Sequence, residues 1–212
     1  MKIGIIGATG KAGSHLAQEA QRQGHAVTAI VRNKAKIADS GLSILERDLF
    51  DLTAADIEGF DSLIDAFNAP RGKEEQHQTS LRHLIDVCEQ RPEVRLLVVG
   101  GAGSLYTDAE RKTRVFETPD FPGAFLPTAA NMAGAFDLLR SSDVIWSYLS
   151  PAIEFDPNGA RTGSYALGDD VVILNKAGES YVSYADYAVA MIDEIKNKAY
   201  IRRRFCVVSE RG

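Results

Sequence analysis

Met1-Lys2-Ile3-Gly4-Ile5-Ile6 runs without a break into Gly7-Ala8-Thr9-Gly10-Lys11-Ala12-Gly13. A short apolar, β-branched run feeds a loop with glycines at positions 7, 10 and 13, and a helical pattern follows through Gln23. This strand, turn and helix is what a dinucleotide pyrophosphate requires. Gly7 suits the tight turn off the strand. Gly10 removes a Cβ where backbone must approach phosphate, and Gly13 lets the helix pack close to the sheet. The amides at the helix start would then face the anion, with the helix dipole in their favour.

Working outward, the first half of the chain alternates strand and helix. Short runs rich in β-branched residues or leucine predict strands at Lys2–Ile6, Ala26–Val31, Ser43–Glu46, Ser62–Phe67 and Arg95–Val99. Helices are expected at Ala12–Gln23, Lys34–Asp39, Ala54–Ile57 with Thr53 as its cap, and Lys73–Gln90, which Pro92 stops. Tyr106–Pro127 has no sustained period and reads as a long loop beside the site, a candidate lid. A helix over Thr128–Ser141 and a sixth strand at Val144–Leu149 follow. Gly163–Leu167 and Val171–Leu174, joined by Gly168-Asp169-Asp170, predict a hairpin, then a helix at Tyr184–Lys196 and a last strand at Arg204–Val208. The expected class is α/β: a Rossmann-like, doubly wound parallel sheet, one domain over residues 1–212. A small C-terminal lobe should lie over the carboxyl edge of the sheet, where open α/β sheets bind ligands.

Composition bounds the function classes. With 212 residues, 45% hydrophobic and 25% charged, the chain reads as a soluble globular protein with a full core. A net charge of −5 gives no reason to expect nucleic acid or an anionic membrane as partner. No apolar run reaches the length of a membrane span, and the N-terminal run ends in the glycine loop without a cleavage-type sequence, so a cytoplasmic location is expected. Cys88 and Cys206 read as buried free thiols. Oligomeric state is open at this level.

The end of the second strand sets cofactor choice: an acid there bonds the 2′-hydroxyl of NAD, a base pairs with the 2′-phosphate of NADP. The strand ends Ile30-Val31-Arg32-Asn33-Lys34, and Arg32 stands 19 residues after Gly13 with no acid between His25 and Lys36. This favours NADP (NADPH) over NAD, because a guanidinium forks onto phosphate and lays its plane on adenine. The alternative is that Arg32 and Lys34 are solvated charges, and Lys36 is a second candidate for the phosphate. Asp48 follows the third strand, as an acceptor for the adenine amino group or as a turn residue. Asn68-Ala69-Pro70 follows the fourth and should run beside a ribose. Gly100-Gly101-Ala102-Gly103-Ser104 follows the fifth; two glycines directly after a strand suit close approach to a ligand. Ser104 is the only hydroxyl of that turn, a catalytic candidate or a turn residue.

The Tyr and Lys four residues apart that drive short-chain dehydrogenases are absent: Tyr106, Tyr181, Tyr184 and Tyr187 are followed at that spacing by Glu110, Ala185, Ala188 and Met191. The helix that should carry the pair has Ala129, Ala130, Met132 and Ala133 instead. His15, His25, His77 and His83 form no metal-ligand spacing with the cysteines, so no metal is expected; His77 and His83 read as surface residues. Arg202-Arg203-Arg204 reads as a solvated turn before the last strand rather than an anion site, and Trp146 as core. Hydride transfer to an easily reduced acceptor needs little beyond geometry, so the pattern fits such a reaction or a protein that only binds the cofactor.

Several strings carry a family resemblance. They are the glycine loop, Val31-Arg32-Asn33, Val98-Val99-Gly100-Gly101-Ala102-Gly103-Ser104-Leu105, Thr118-Pro119-Asp120-Phe121-Pro122, Ser150-Pro151-Ala152 and Ser183-Tyr184-Ala185-Asp186-Tyr187-Ala188. Over nearly its whole length the chain resembles the atypical short-chain dehydrogenases named NADH-flavin reductases, bacterial relatives of biliverdin/flavin reductase and of NmrA-like proteins. The resemblance implies a Rossmann-like fold, NADP(H) binding and reduction of a flavin or related acceptor. It implies that Gly7, Thr9, Gly10, Lys11, Ala12 and Gly13 hold the pyrophosphate and Arg32 the adenosine phosphate. Gly100, Gly101 and Ser104 would border the nicotinamide, with Pro151 and Ala152 beyond. One departure is that flavin reductases of this group carry a histidine near the Pro151 segment, where this chain has Ala152. The leading expectation is an NADPH-dependent oxidoreductase acting on a small planar acceptor such as flavin or quinone, with Ser104 or a water relaying the proton. The rival is a non-catalytic NADP(H)-binding redox sensor of the NmrA-like type. An epimerase or dehydratase is a weaker third reading, since those enzymes use the tyrosine.

Overall fold

β1 (Lys2–Ile6) is buried from Ile3 to Ile6 on both faces, as a β-branched run at the centre of a parallel sheet must be. The computed structural model describes residues 1–37 and 41–212. The chain continues through α1 (Lys11–Arg22), β2 (Ala26–Val31), β3 (Ser43–Glu46), β4 (Ser62–Asp65), α2 (Gln76–Glu89), β5 (Arg95–Val99), α3 (Leu126–Arg140) and β6 (Trp146–Ser150). It ends with β7 (Glu154–Asp156), β8 (Tyr165–Gly168), β9 (Tyr181–Ser183), α4 (Tyr184–Asn197) and β10 (Arg203–Ser209). Eight strands form one sheet in the order β3-β2-β1-β4-β5-β6-β10-β8. All neighbours pair in parallel except β8, which runs antiparallel to β10. The chain therefore has the expected α/β Rossmann-like architecture. Strand order reverses between β1 and β4, which opens a crevice at their carboxyl ends.

The period-2 alternation of the strands divides the core. Ile3 and Ile5 pack with Leu16, Ala17, Met191 and Phe205 under α1 and α4. Ile6 and Leu63 point the other way, into a second cluster with Leu84, Phe136, Trp146 and Tyr148 under α2 and α3. A buried ion pair, Arg95 with Glu194, ties β5 to α4, and Glu194 also accepts the Tyr200 amide at 2.9 Å. Cys88 and Cys206 are buried free thiols. Among the described residues no helix is long and apolar enough to cross a membrane.

Three expected elements differ. Ala54–Ile57 is a run of turns rather than a helix: four residues are too few to nucleate one, and the Asp56 carboxylate takes both the amide and the hydroxyl of Thr53, at 2.8 and 2.7 Å. At Lys34 only a 3₁₀ turn to Lys36 forms, capped by Asn33, whose side chain accepts the Ala35 amide at 2.9 Å; the rest of the helix expected there lies outside the described residues. The hairpin at 163–174 is absent. β8 instead closes the free edge of β10, with Cys206 opposite Gly168, while Val171 bridges to Tyr106. An edge row of unpaired N–H and C=O groups is thereby satisfied, which outweighs the local turn signal. Two short strands escaped the sequence reading: β7 and β9, paired in parallel beside α4.

Candidate functional site

The loop after β1 is built by its glycines. Gly7 has φ +72°, and a Cβ there would stand 2.8 Å from the Ala66 carbonyl oxygen, against the chain leaving β4. A Cβ on Gly13 would stand 2.1 Å from the Gly7 carbonyl oxygen, so α1 seats on the loop only with glycine at that position. The Gly10 amide donates to the same carbonyl at 2.8 Å, and a Cβ on Gly10 would meet nothing else within 4 Å. No side chain caps α1, which leaves its first-turn amides open toward an anion.

In front of the loop lies a cleft of about 410 Å³, walled by Gly7, Thr9, Gly10, Arg32, Asp48 and Asn68 among others. These expected residues come from the ends of four strands and converge on one space. Lys11, Ala12 and Gly13 form the adjoining start of α1, and Ala69 is buried beside Asn68. Arg32 is exposed, and its guanidinium has no partner among the described residues. Lys34 lies 3.5 Å from Glu46, with both side chains open to water. The Lys36 side chain lies outside the described residues. One Asp48 oxygen accepts the Phe50 amide at 3.0 Å, the turn role the sequence allowed.

Sequence reasoning missed Arg47, Phe50, Lys73 and Gln76 on the cleft wall. Phe50 is 41% exposed, edge-on to Phe67 at 6.5 Å, and offers a flat apolar wall next to Arg32. Its signal was an aromatic two residues past Asp48. Arg47 is held by Asp56 at 3.0 Å and adds a second cation to the same end.

A nicotinamide dinucleotide fits this wall: a Cβ-free cradle at a helix start, an aromatic face, and a guanidinium unpaired among the described residues. A protein family described as NAD(P)H-binding matches residues 7–198. The chain belongs to that family. The uncharacterized protein YwnB of Bacillus subtilis (strain 168) is 51% identical over 99% of both chains. The solved structure of SP1627 from Streptococcus pneumoniae TIGR4, provisionally named a NADH-flavin reductase, is 40% identical with a TM-score of 0.93, covering 99% of this chain and 100% of that one. A Bacteroides thetaiotaomicron protein provisionally named an epimerase is 32% identical with a TM-score of 0.86, covering 100% and 99%. The atypical short-chain dehydrogenase class and a nicotinamide cofactor, both expected from the sequence, are thus in place.

At the next strand ends this NAD(P)H-binding chain packs tightly. A Cβ on Gly100 would stand 2.2 Å from the Tyr148 ring, and one on Gly101 3.1 Å from the Met132 sulfur. The Gly101 amide donates to the Tyr148 hydroxyl at 3.3 Å. These glycines make room for side chains of β6 and α3, a packing role additional to any approach of a ligand. Pro151 and Ala152 follow β6 and are buried. The Ser104 hydroxyl is buried and accepts from Arg204 Nη1 at 3.0 Å.

Two residues were misread as solvated. His77 is buried, edge-on to Phe67 at 6.2 Å, with Nε2 unpartnered among the described residues; burial lowers its pKa. Arg204 is buried because Asp170 binds its Nε at 2.5 Å and Phe136 lies under its plane at 4.7 Å. Asp65, the last residue of β4, is also buried; loss of solvent raises its pKa to about 6, partly offset by the Phe67 amide it accepts at 3.0 Å.

Proposed function

We propose that the protein is an NADPH-dependent oxidoreductase that transfers hydride to a small planar acceptor such as a flavin or a quinone. The observation that carries the cofactor choice is Arg32, an unpaired guanidinium on the wall of the glycine-loop cleft. When bound, NADPH supplies the hydride. The first-turn amides of α1, with Gly7, Thr9 and Gly10, bind the pyrophosphate, and Lys11 adds charge beside it. Arg32 forks onto the 2′-phosphate, with Arg47 and Phe50 completing the adenosine end. Asp48, Asn68 and Ala69 border the adenosine and ribose. Gly100, Gly101, Pro151 and Ala152 flank the nicotinamide. The Ser104 oxygen accepts from Arg204, so its own hydrogen stays available for relay to the reduced acceptor. The reductase name of the S. pneumoniae relative supports this reading.

The rival is a non-catalytic NADP(H) sensor. It draws on α3, the helix expected to carry a proton-relaying tyrosine and lysine, which has Ala129, Ala130, Met132 and Ala133 instead. One experiment separates the two. NADPH oxidation is followed with FMN, riboflavin and a quinone in turn, beside binding titrations of NADPH and NADH. Acceptor-dependent oxidation with preference for NADPH is the expected result. Tight NADPH binding without turnover selects the sensor, and equal binding of NADH removes the role of Arg32.

A further inference from the structure

Beside α3 and the start of β10 lies a second cleft, of about 400 Å³, that shares no lining residue with the cofactor cleft. Six arginines line it: Arg111, Arg114, Arg140, Arg202, Arg203 and Arg204. Three aspartates, Asp137, Asp169 and Asp170, are the only acids on its wall. This excess of positive charge sits in a chain whose net charge is −5, so it is a local concentration and not a general property of the surface.

The six cations are held differently. Arg204 is buried and held through Nε by Asp170 at 2.5 Å and through Nη1 by the hydroxyl and carbonyl of Ser104 at 3.0 Å each. It forms a fixed positive floor. Arg202 donates to the Asp143 carbonyl. Arg111 pairs with Asp169 at 2.7 Å and Arg140 with Asp137 at 3.2 Å, but both pairs are open to water, with every side chain at least 46% exposed. Such pairs contribute little and exchange partners readily. Arg114 and Arg203 pair with no carboxylate among the described residues. Each guanidinium rests near an aromatic ring instead, Arg114 by Phe116 at 5.9 Å and Arg203 by Tyr200 at 5.5 Å. That contact uses the guanidinium face and leaves its in-plane N–H groups free for a planar or tetrahedral anion.

We propose that this cleft binds a small polyanion carrying two or more phosphate or carboxylate groups. Arg114 and Arg203 supply the open donors, and Arg204 supplies the fixed charge beneath them. The volume suits a compact organic anion. Ser104, the proposed proton relay, also lies on the wall of this cleft, so the anion site and the proposed reaction meet at that residue; anion binding does not depend on which dinucleotide the glycine-loop cleft takes.

The chain's only tryptophan, Trp146, lines the cleft and reports on it. The protein is titrated with pyrophosphate and, separately, with citrate at constant ionic strength, by Trp146 emission and by calorimetry. Saturable binding of at least one probe is expected, weakening as salt is added. In the double variant Arg114→Ala/Arg203→Ala the affinity should fall about tenfold or more, with NADPH affinity and melting temperature close to those of the unaltered protein. Should that variant fold poorly, Arg114→Lys/Arg203→Lys keeps the charge, loses the fork, and should still weaken binding severalfold. Binding of pyrophosphate alone assigns the site to phosphates, and binding of citrate alone to carboxylates. Absence of saturable binding by both probes overturns the proposal. So does binding that the variants leave unchanged, which would place the anion at the glycine loop.

Discussion

Arg204 Nη1 donates to both the hydroxyl and the carbonyl of Ser104, each at 3.0 Å. A residue of β10 thereby fixes the turn after β5, and the serine oxygen is engaged as an acceptor while its hydrogen is left to point elsewhere. If that hydrogen is relayed during acceptor reduction, Ser104→Ala should lower kcat about tenfold or more and leave the KM for NADPH unchanged. Steady-state kinetics with the best acceptor decides it: full turnover in the variant would remove Ser104 from the chemistry.

Arg32 should set the cofactor. Reversing its charge places a carboxylate against the 2′-phosphate, while the 2′-hydroxyl of NADH can donate a hydrogen bond to that carboxylate. Arg32→Glu is expected to weaken NADPH by about tenfold or more, with NADH unchanged or tighter. Paired titrations of the two dinucleotides measure this; an unaltered ratio of affinities would show that the guanidinium is only a solvated charge.

Gly13 of the glycine loop and Gly123, in the turn just before α3, make a matched pair of substitutions. A Cβ on Gly13 would lie 2.1 Å from a backbone oxygen, which no rotamer change relieves, whereas one on Gly123 meets nothing within 4 Å. Gly13→Ala should destabilise by about 1–3 kcal/mol or more through displaced backbone, and dinucleotide binding should fall with it. Gly123→Ala should stay within about 0.5 kcal/mol of the parent. Denaturant unfolding of both variants is the check, and equal stabilities would mean that α1 does not seat on the loop as described.

The parts of this site that are legible in sequence are those fixed by local geometry. The turn after β1 shows itself because φ at Gly7 and the approach of Gly13 to Gly7 are short-range demands. Arg32 is found by its place at the end of β2. What escapes is decided by partners far along the chain. The space beside Gly100 is filled by the Tyr148 ring, and Arg204 is buried by Asp170, which lies 34 residues earlier. Phe50, Lys73 and Gln76 reach the cleft through the crossovers that follow β3 and β4, whose paths periodicity does not specify. His77 looked solvated because histidine usually is; its burial needs Phe67 to close over it. The hairpin reading failed for the same reason, since the partner that β8 takes, β10, begins at Arg203, 33 residues after the expected turn ends at Asp170.

Asp65 gives the fold a pH dependence whose sign follows from its burial. Its folded-state pKa is raised from 3.8 to about 6, by desolvation that the Phe67 amide only partly offsets. The folded chain thus holds this proton more tightly than the unfolded chain does. The contribution is fully present below about pH 4 and is lost as pH rises through about 6. At neutral pH the ionised carboxylate is therefore a burden on the fold, of order 3 kcal/mol for a shift of this size. Asp65→Asn keeps a carbonyl oxygen for the Phe67 amide and removes the charge. Relative to the parent, it should gain stability between about pH 4 and about pH 8, by up to that amount. Urea unfolding of both proteins at the two pH values tests this. A stability difference that does not change with pH would show that Asp65 ionises in the folded protein as it does in the unfolded one.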